Sequence, residues 1–83
     1  MYKVKLDKRV QKKLSRLSKD YYLRASEAIW RLADFPSGDI KLLKGKHKGL
    51  YRLRVGPFRV LFQLREGAKE IIVFRFDTRG DIY

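Results

Sequence analysis

The chain opens with apolar residues at every second position. Residues 2–6 alternate Tyr, Val and Leu with lysine, which is the period of a half-buried β-strand. Asp7 follows, and aspartate is a common N-terminal cap of helices. The apolar spacing then lengthens to helical intervals at Val10 and Leu14. Residues 8–18 are therefore predicted to form an amphipathic helix whose basic residues face outward.

A second amphipathic helix is predicted from about Asp20. Its apolar face includes Ala25, Ile29 and Leu32, and the Phe-Pro-Ser-Gly stretch at 35–38 ends it, because proline and glycine cannot continue a regular helix. The two helices should form a short hairpin.

The period of two returns in the second half of the chain. Residues 50–54 alternate, Gly56-Pro57 makes a tight turn, and residues 58–63 alternate again. A second turn at 66–68 leads into the nearly continuous apolar run 70–76, which is typical of a central strand. The predicted order is β-α-α-β-β-β. The fold class is α+β, with an antiparallel three-stranded meander and both helices packed on one face of the sheet.

Length and composition favour one small domain spanning residues 1–83. A chain of 83 residues has room for a single hydrophobic core, and 45% hydrophobic residues can fill it. The absence of cysteine excludes disulfides and thiolate ligands. No apolar run has the length of a membrane span, and the charged start lacks the features of a signal peptide. We expect a cytoplasmic protein with no membrane association and no cofactor.

Charge is the most informative bulk property. The chain has 21 basic and 9 acidic residues, a net charge of +12, which predicts a polyanionic partner, and RNA is the favoured candidate. Between residues 41 and 59 there are seven cations and no Asp or Glu. These cations are Lys41, Lys44, Lys46, Lys48, Arg52, Arg54 and Arg59. The competing interpretation is that such charges only keep the surface soluble and protect a strand edge.

Strand geometry divides this basic segment into two parts. Arg52 and Arg54 should share one face of a strand, opposite core-facing Leu53. Arg59 on the paired strand joins them if the Gly56-Pro57 turn sets the matching register. Arginine is suited to this position, because its planar fork binds phosphate oxygens in pairs and stacks on bases.

The lysines are predicted to lie in a glycine-containing loop that follows an RNA backbone. The Gly45-Lys46 pair lacks the remainder of a nucleotide-binding P-loop. His47 is the only histidine, so no metal site is predicted, and a solvated side chain is the simpler interpretation. The loop lysines are Lys41, Lys44, Lys46 and Lys48.

The C-terminal residues offer one more cation and one aromatic ring. Arg79 follows the last predicted strand, and Tyr83 ends the sequence. A tyrosine here could stack on an unpaired base, as in recognition of single-stranded RNA. The alternative is that its ring is a packing anchor.

Taken together, these segments resemble the RelE/ParE superfamily of bacterial and archaeal toxins from toxin–antitoxin operons. The resemblance covers essentially the whole chain. It is most specific in the Tyr-Arg-Leu-Arg-Val-Gly-Pro-Phe-Arg-Val run of residues 51–60. The Leu-Ala-Asp-Phe-Pro end of the helical hairpin at 32–36, the Leu-Lys-Gly stretch at 43–45, and the final Arg79 and Tyr83 support it.

The resemblance to the RelE branch implies cleavage of messenger RNA, typically in the ribosomal A site, with suppression by an antitoxin. The implied reaction is attack of a ribose 2′-hydroxyl on the adjacent phosphate without a metal, leaving a cyclic phosphate and a 5′-hydroxyl. The implied partners are an acidic antitoxin in a hetero-oligomer, messenger RNA and ribosomal RNA. Positions similar to the functional set of that branch are Lys44, Arg52, Arg54, Arg59, Arg79 and Tyr83.

Two alternatives remain open at this stage. A ParE-like protein would inhibit DNA gyrase by binding it, and a basic sheet face could also belong to an RNA-binding module without catalysis.

The proton transfers of the implied cleavage reaction are also unassigned. Some relatives have lysines at the positions of Arg52 and Arg54, whereas arginine does not deprotonate in proteins. The sequence offers no obvious general base.

Overall fold

The computed structural model describes residues 1–43 and 50–77. The chain order is strand, two helices joined to a short 3₁₀ turn, and four further strands. The bounds are β1 Lys3–Leu6, α1 Lys8–Ser15, α2 Lys19–Trp30, the 3₁₀ turn Arg31–Asp34, β2 Asp39–Leu42, β3 Leu50–Val55, β4 Phe58–Arg65 and β5 Glu70–Asp77.

The strands form one five-stranded sheet in the order β1-β5-β4-β3-β2. β1 pairs with β5 in parallel, and all other neighbours are antiparallel. The predicted α+β class is confirmed, but the meander has four strands rather than three. The additional strand is β2, in which Ile40 pairs with core residue Leu53 while Asp39 and Lys41 point the other way. The four residues of β2 are too few for the alternation of apolar and polar positions to distinguish a strand from a loop.

The helices begin close to where the sequence predicts. Asp7 caps α1, because its Oδ1 accepts a hydrogen bond of 2.7 Å from the backbone N–H of Arg9. α1 ends at Ser15, three residues earlier than predicted. There the N–H of Leu17 bonds the carbonyl of Leu14 in a tighter turn, which still directs Leu17 onto the core.

The helices cover one face of the sheet and create the core there. Phe62 lies at its centre with no exposed surface, stacked on Tyr51 at 5.5 Å between ring centroids, and Phe35 packs edge-on against both rings. The helical residues of this core are Val10, Leu14, Ala25, Ile29 and Leu32. The strand residues are Leu53, Val55, Phe58, Val60, Phe62, Ile71, Val73 and Phe76.

The turn between β3 and β4 fixes the register of the hairpin. Val55 pairs directly with Phe58, so only Gly56 and Pro57 connect the strands. Gly56 has φ 56°, and a glycine with positive φ at the first turn position is characteristic of a two-residue hairpin turn of type II′. Because the turn is this short, the pairing of Arg54 with Arg59 follows directly.

An ion pair fastens the first strand to the sheet. Lys5 Nζ lies 2.6 Å from Glu70 Oε2, joining β1 to β5. The hydrogen bond from the Lys5 ammonium, together with its positive charge, holds the pKa of Glu70 below its usual value. Within the described residues, no helix is long and apolar enough to span a membrane.

Candidate functional site

The face of the sheet away from the helices, called here the helix-free face, carries two rows of charged residues. Side chains that oppose one another across paired strands share a face. The first row crosses four strands as Asp39, Arg54, Arg59 and Asp77. The second row, two residues along, is Lys41, Arg52, Leu61 and Arg75.

The centre of the first row places two arginines directly opposite each other. Arg54 is exposed and Arg59 is half-buried. Like charges at directly opposed positions destabilise a sheet, and a carboxylate at each end of the row partly offsets this, Asp39 beside Arg54 and Asp77 beside Arg59. A phosphate bound between the guanidinium groups would relieve the same repulsion.

Arg52 is the buried cation of the second row. Only 9% of its surface is exposed, and its Nη2 lies 3.7 Å from Asp39 Oδ1, which is too long for a hydrogen bond. Within residues 1–43 and 50–77, Nε of Arg52 and Nε of Arg59 are buried without a hydrogen-bond partner. Buried donors are nearly always paired. Each of these N–H groups can donate a hydrogen bond to a ligand oxygen once its side chain moves to expose it.

A small apolar floor lies beside the arginines on the helix-free face. Leu61 and Leu43 are buried there, with Leu50 and Phe74 packed against them. Phe74 follows Val73 at an irregularity in the pairing of β4 with β5, which turns the Phe74 ring to this face. The site therefore combines positive charge with the half-buried aromatic ring of Phe74, and single-stranded nucleic acids bind surfaces that pair positive charge with aromatic rings.

The structure brings together three of the predicted site arginines. Arg52, Arg54 and Arg59 lie on one face, as strand parity and the turn register require. Lys41 also lies on this face, opposite Arg52, but in strand β2 and not in the predicted loop. Their contact with RNA stays a prediction. The other predicted site residues lie outside the described residues, namely Lys44, Lys46, Lys48, Arg79 and Tyr83, together with His47.

Sequence reasoning missed three charged members of the site. Asp39 and Asp77 lie outside the acid-free segment along the chain, yet the sheet places them at both ends of the arginine row. Arg75 joins the second row, with Nε 3.7 Å from Asp77 Oδ2. Alternation along β5 could have shown that Arg75 and Asp77 share a face. Their position relative to Arg59 depends on strand pairing.

Metal ligation has no candidate in the described part of the chain. Across residues 1–43 and 50–77, no group of three or more His, Asp or Glu side chains is placed to hold a metal ion. The chemical resources of the two rows are guanidinium groups, one lysine and two carboxylates.

Comparison with known families gives one match over nearly the whole chain. Residues 4–83 match the family described as the ParE toxin of type II toxin–antitoxin systems, parDE. A search of curated proteins gave no significant match.

Solved structures with the same fold come from related systems. The toxin–antitoxin complex RelBE2 from Mycobacterium tuberculosis matches with a TM-score of 0.82 and 22% identity, covering 94% of this chain and 98% of that one. The archaeal RelE–RelB complex from Pyrococcus horikoshii matches with a TM-score of 0.78 and 31% identity, covering 96% and 97%. The isolated Escherichia coli RelE toxin matches with a TM-score of 0.76 and 15% identity, covering 95% and 85%.

Proposed function

Because the chain belongs to the ParE toxin family of type II toxin–antitoxin systems, we propose that it is a toxin that cuts messenger RNA on the ribosome. The observation that supports cleavage is the convergence of Arg52, Arg54 and Arg59 on the helix-free face, with two buried N–H groups lacking partners among the described residues. The 31% identity to the archaeal RelE chain points the same way.

The proposed reaction is attack of a ribose 2′-hydroxyl on the adjacent phosphate. Its transition state gathers negative charge on a five-coordinate phosphorus, and fixed guanidinium groups stabilise that charge and position the phosphate without needing a metal. Arg59 and Arg79 are assigned to the scissile phosphate, while Arg52 and Arg54 hold it and its neighbour. Tyr83 is assigned to stacking on a base.

The basic segment would also make the contacts that dock the toxin. Exposed Lys41 on β2 lies beside the arginines, and a lysine at this edge can follow a phosphate backbone. The same role is proposed for the loop lysines Lys44, Lys46 and Lys48, toward the message or ribosomal RNA. The place of action is then the cytoplasm.

An acidic antitoxin is the proposed regulatory partner. The structures from M. tuberculosis and P. horikoshii are complexes of toxin with antitoxin, and a chain with a net charge of +12 favours an acidic cover. A partly disordered segment would wrap this surface as it folds. We expect it to mask Arg52, Arg54 or Arg79, or to shift Tyr83. A complex in which the antitoxin contacts none of these four residues and moves none of them would contradict this.

A second candidate function is inhibition of DNA gyrase by protein binding. The matched family description, ParE toxin, is the observation that favours it. A gyrase inhibitor has no need for arginines aimed at a scissile phosphate, so the two functions differ in which residues matter.

Induced expression separates these functions. Mapping of messenger 5′ ends should show cuts that depend on translation, and Arg59→Ala and Arg79→Ala should each abolish them. Arg9→Ala is the matched control, because the Arg9 side chain on α1 is 90% exposed, and its removal should leave the cuts in place. Intact messages with trapped gyrase–DNA complexes would overturn the nuclease proposal.

A further inference from the structure

The arginine-rich face needs a group that accepts a proton from the 2′-hydroxyl. Arginine stays protonated at all ordinary pH values, and efficient cleavage requires a positioned base. Among the described residues, three carboxylates lie on the helix-free face: Asp39, Glu70 and Asp77. Their surroundings differ enough to choose between them.

Asp77 is the carboxylate beside Arg59. The two residues are direct cross-strand partners, and side chains in that relation have Cβ atoms about 4.5–5.5 Å apart. The Nε of Arg59 is buried, so the stem of its side chain is covered by its neighbours. A phosphate bound by the Arg59 guanidinium would bring the sugar that carries it toward the strand position of Asp77.

The other two carboxylates are less suitably placed. Asp39 lies on edge strand β2, and its side chain is 62% exposed. Glu70 lies at the opposite end of β5 and is held by Lys5. Asp77, with 29% of its side chain exposed, combines partial burial with a position directly opposite Arg59.

Among the described residues, two arginines and a cleft lie next to Asp77. Arg59 is its cross-strand partner on β4, and Arg75 Nε lies 3.7 Å from its Oδ2. The cleft, of about 240 Å³, is lined by Asp77 together with Lys13, Arg16, Leu17 and Phe76. Lys13 also donates a hydrogen bond to the carbonyl of Phe76. The cleft connects Asp77 to water.

We infer that Asp77 is the general base of the proposed ribonuclease reaction, an inference that rests on the proposed function. A carboxylate oxygen of Asp77 takes the proton of the 2′-hydroxyl as the 2′-oxygen bonds to phosphorus. The bond from phosphorus to the 5′-oxygen breaks, and that oxygen takes a proton from water. The products are a 2′,3′-cyclic phosphate and a 5′-hydroxyl, and Asp77 returns its proton to solvent through the cleft.

The test is single-turnover cleavage of a defined message on purified ribosomes as a function of pH. Asp77→Asn should lower kcat by about 10²–10⁴-fold while leaving KM for the programmed ribosome nearly unchanged. Without the base, the 2′-hydroxyl must ionise unaided, so the residual rate should rise about tenfold per pH unit. The wild-type rate should rise much less steeply with pH, because the carboxylate takes the proton and the 2′-hydroxyl does not have to ionise unaided.

Two further variants keep the test specific. Asp77→Glu retains a carboxylate and should recover much of the rate. Asp20→Asn makes the same charge change at an exposed position of α2, away from the site, and it should retain the wild-type rate and pH profile. An unfolding midpoint near that of the wild type shows that Asp77→Asn folds. If Asp77→Asn does not fold, Asp77→Ser is used in its place.

The outcomes separate the inference from the proposed function. Suppose that the wild type cuts, and that Asp77→Asn either cuts with the same pH profile or shows a raised KM with an unchanged kcat. Then Asp77 is not the base, and the nuclease proposal stands. If the wild type leaves every message intact, the proposed function fails and the inference is overturned with it.

Discussion

Replacing Arg52 with methionine is expected to stabilise the fold while removing activity. Arg52 is 9% exposed, its nearest carboxylate is 3.7 Å away, and Lys41 lies directly opposite it. A buried, poorly paired charge costs folding free energy, and an apolar residue of similar length often restores it. Methionine also fits beside the apolar floor formed around Leu61.

The expected gain follows from two opposing terms. Removing the buried Nε that lacks a partner among the described residues relieves about 1–3 kcal/mol. Losing the long contact to the mostly exposed Asp39 costs about 0–1 kcal/mol. The difference is a net gain of about 0–3 kcal/mol, with a midpoint of about 1.5 kcal/mol. Since each kcal/mol shifts Tm by about 4–8 °C in a domain of this size, the midpoint corresponds to a rise in Tm of about 6–12 °C.

Thermal and urea unfolding of the free toxin measure this effect. Arg54→Met is the matched control, because Arg54 is exposed on the same strand and face, and a surface change of this kind is usually worth less than about 0.5 kcal/mol. Cleavage assays on the same samples should show loss of activity in Arg52→Met. A Tm of Arg52→Met below that of the wild type would refute the view that Arg52 lowers the stability of the fold.

Three further changes test the fold. Phe62→Ala removes the fully buried ring that stacks on Tyr51, and it should cost about 3–5 kcal/mol in urea unfolding. Gly56→Ala should cost about 1–2 kcal/mol because of the backbone φ of 56°. A steric clash does not contribute, because an added Cβ meets only a side-chain nitrogen at 3.9 Å. Glu70→Gln should lower the unfolding midpoint at neutral pH but not in strong acid. The pKa of Glu70 is lowered in the fold, so its stabilisation is present above the ordinary carboxyl pKa and disappears as pH falls through the folded pKa.

Each of these changes has a contradicting result. A urea midpoint for Phe62→Ala equal to that of the wild type would contradict the central place of this ring in the core. Gly56→Ala should be clearly less stable than Gly67→Ala, whose added Cβ has no atom within 4 Å, and equal stabilities would contradict the turn assignment. A difference between Glu70→Gln and wild type that persists unchanged in strong acid would show that Glu70 acts through something other than its charge.

Local patterns made much of this fold predictable. The spacing of Val10 and Leu14 reflects the helix that buries both of them. Gly56-Pro57 could be identified as a tight turn because it separates two alternating runs and its residues suit that geometry. β2 was not predictable, because its four residues supply only Ile40 to the core, and its position depends on pairing with β3.

The candidate site was predictable where it depends on strand parity and a short turn. Those two features place Arg52, Arg54 and Arg59 on one face. They do not reach Asp39 or Asp77, which enter the site through pairings with β3 and β4 that no local pattern specifies. The segment that is free of acids along the chain therefore has carboxylates beside it in the sheet.

The most direct test is to determine the chemistry of the message ends that the purified protein produces on programmed ribosomes. Cleavage by 2′-hydroxyl attack should give a 2′,3′-cyclic phosphate and a 5′-hydroxyl with the wild type, and no cut with a folded Arg59→Ala variant. Ends of another chemistry, equal cutting by Arg59→Ala, or intact messages together with trapped gyrase–DNA complexes would contradict cleavage by the arginine row.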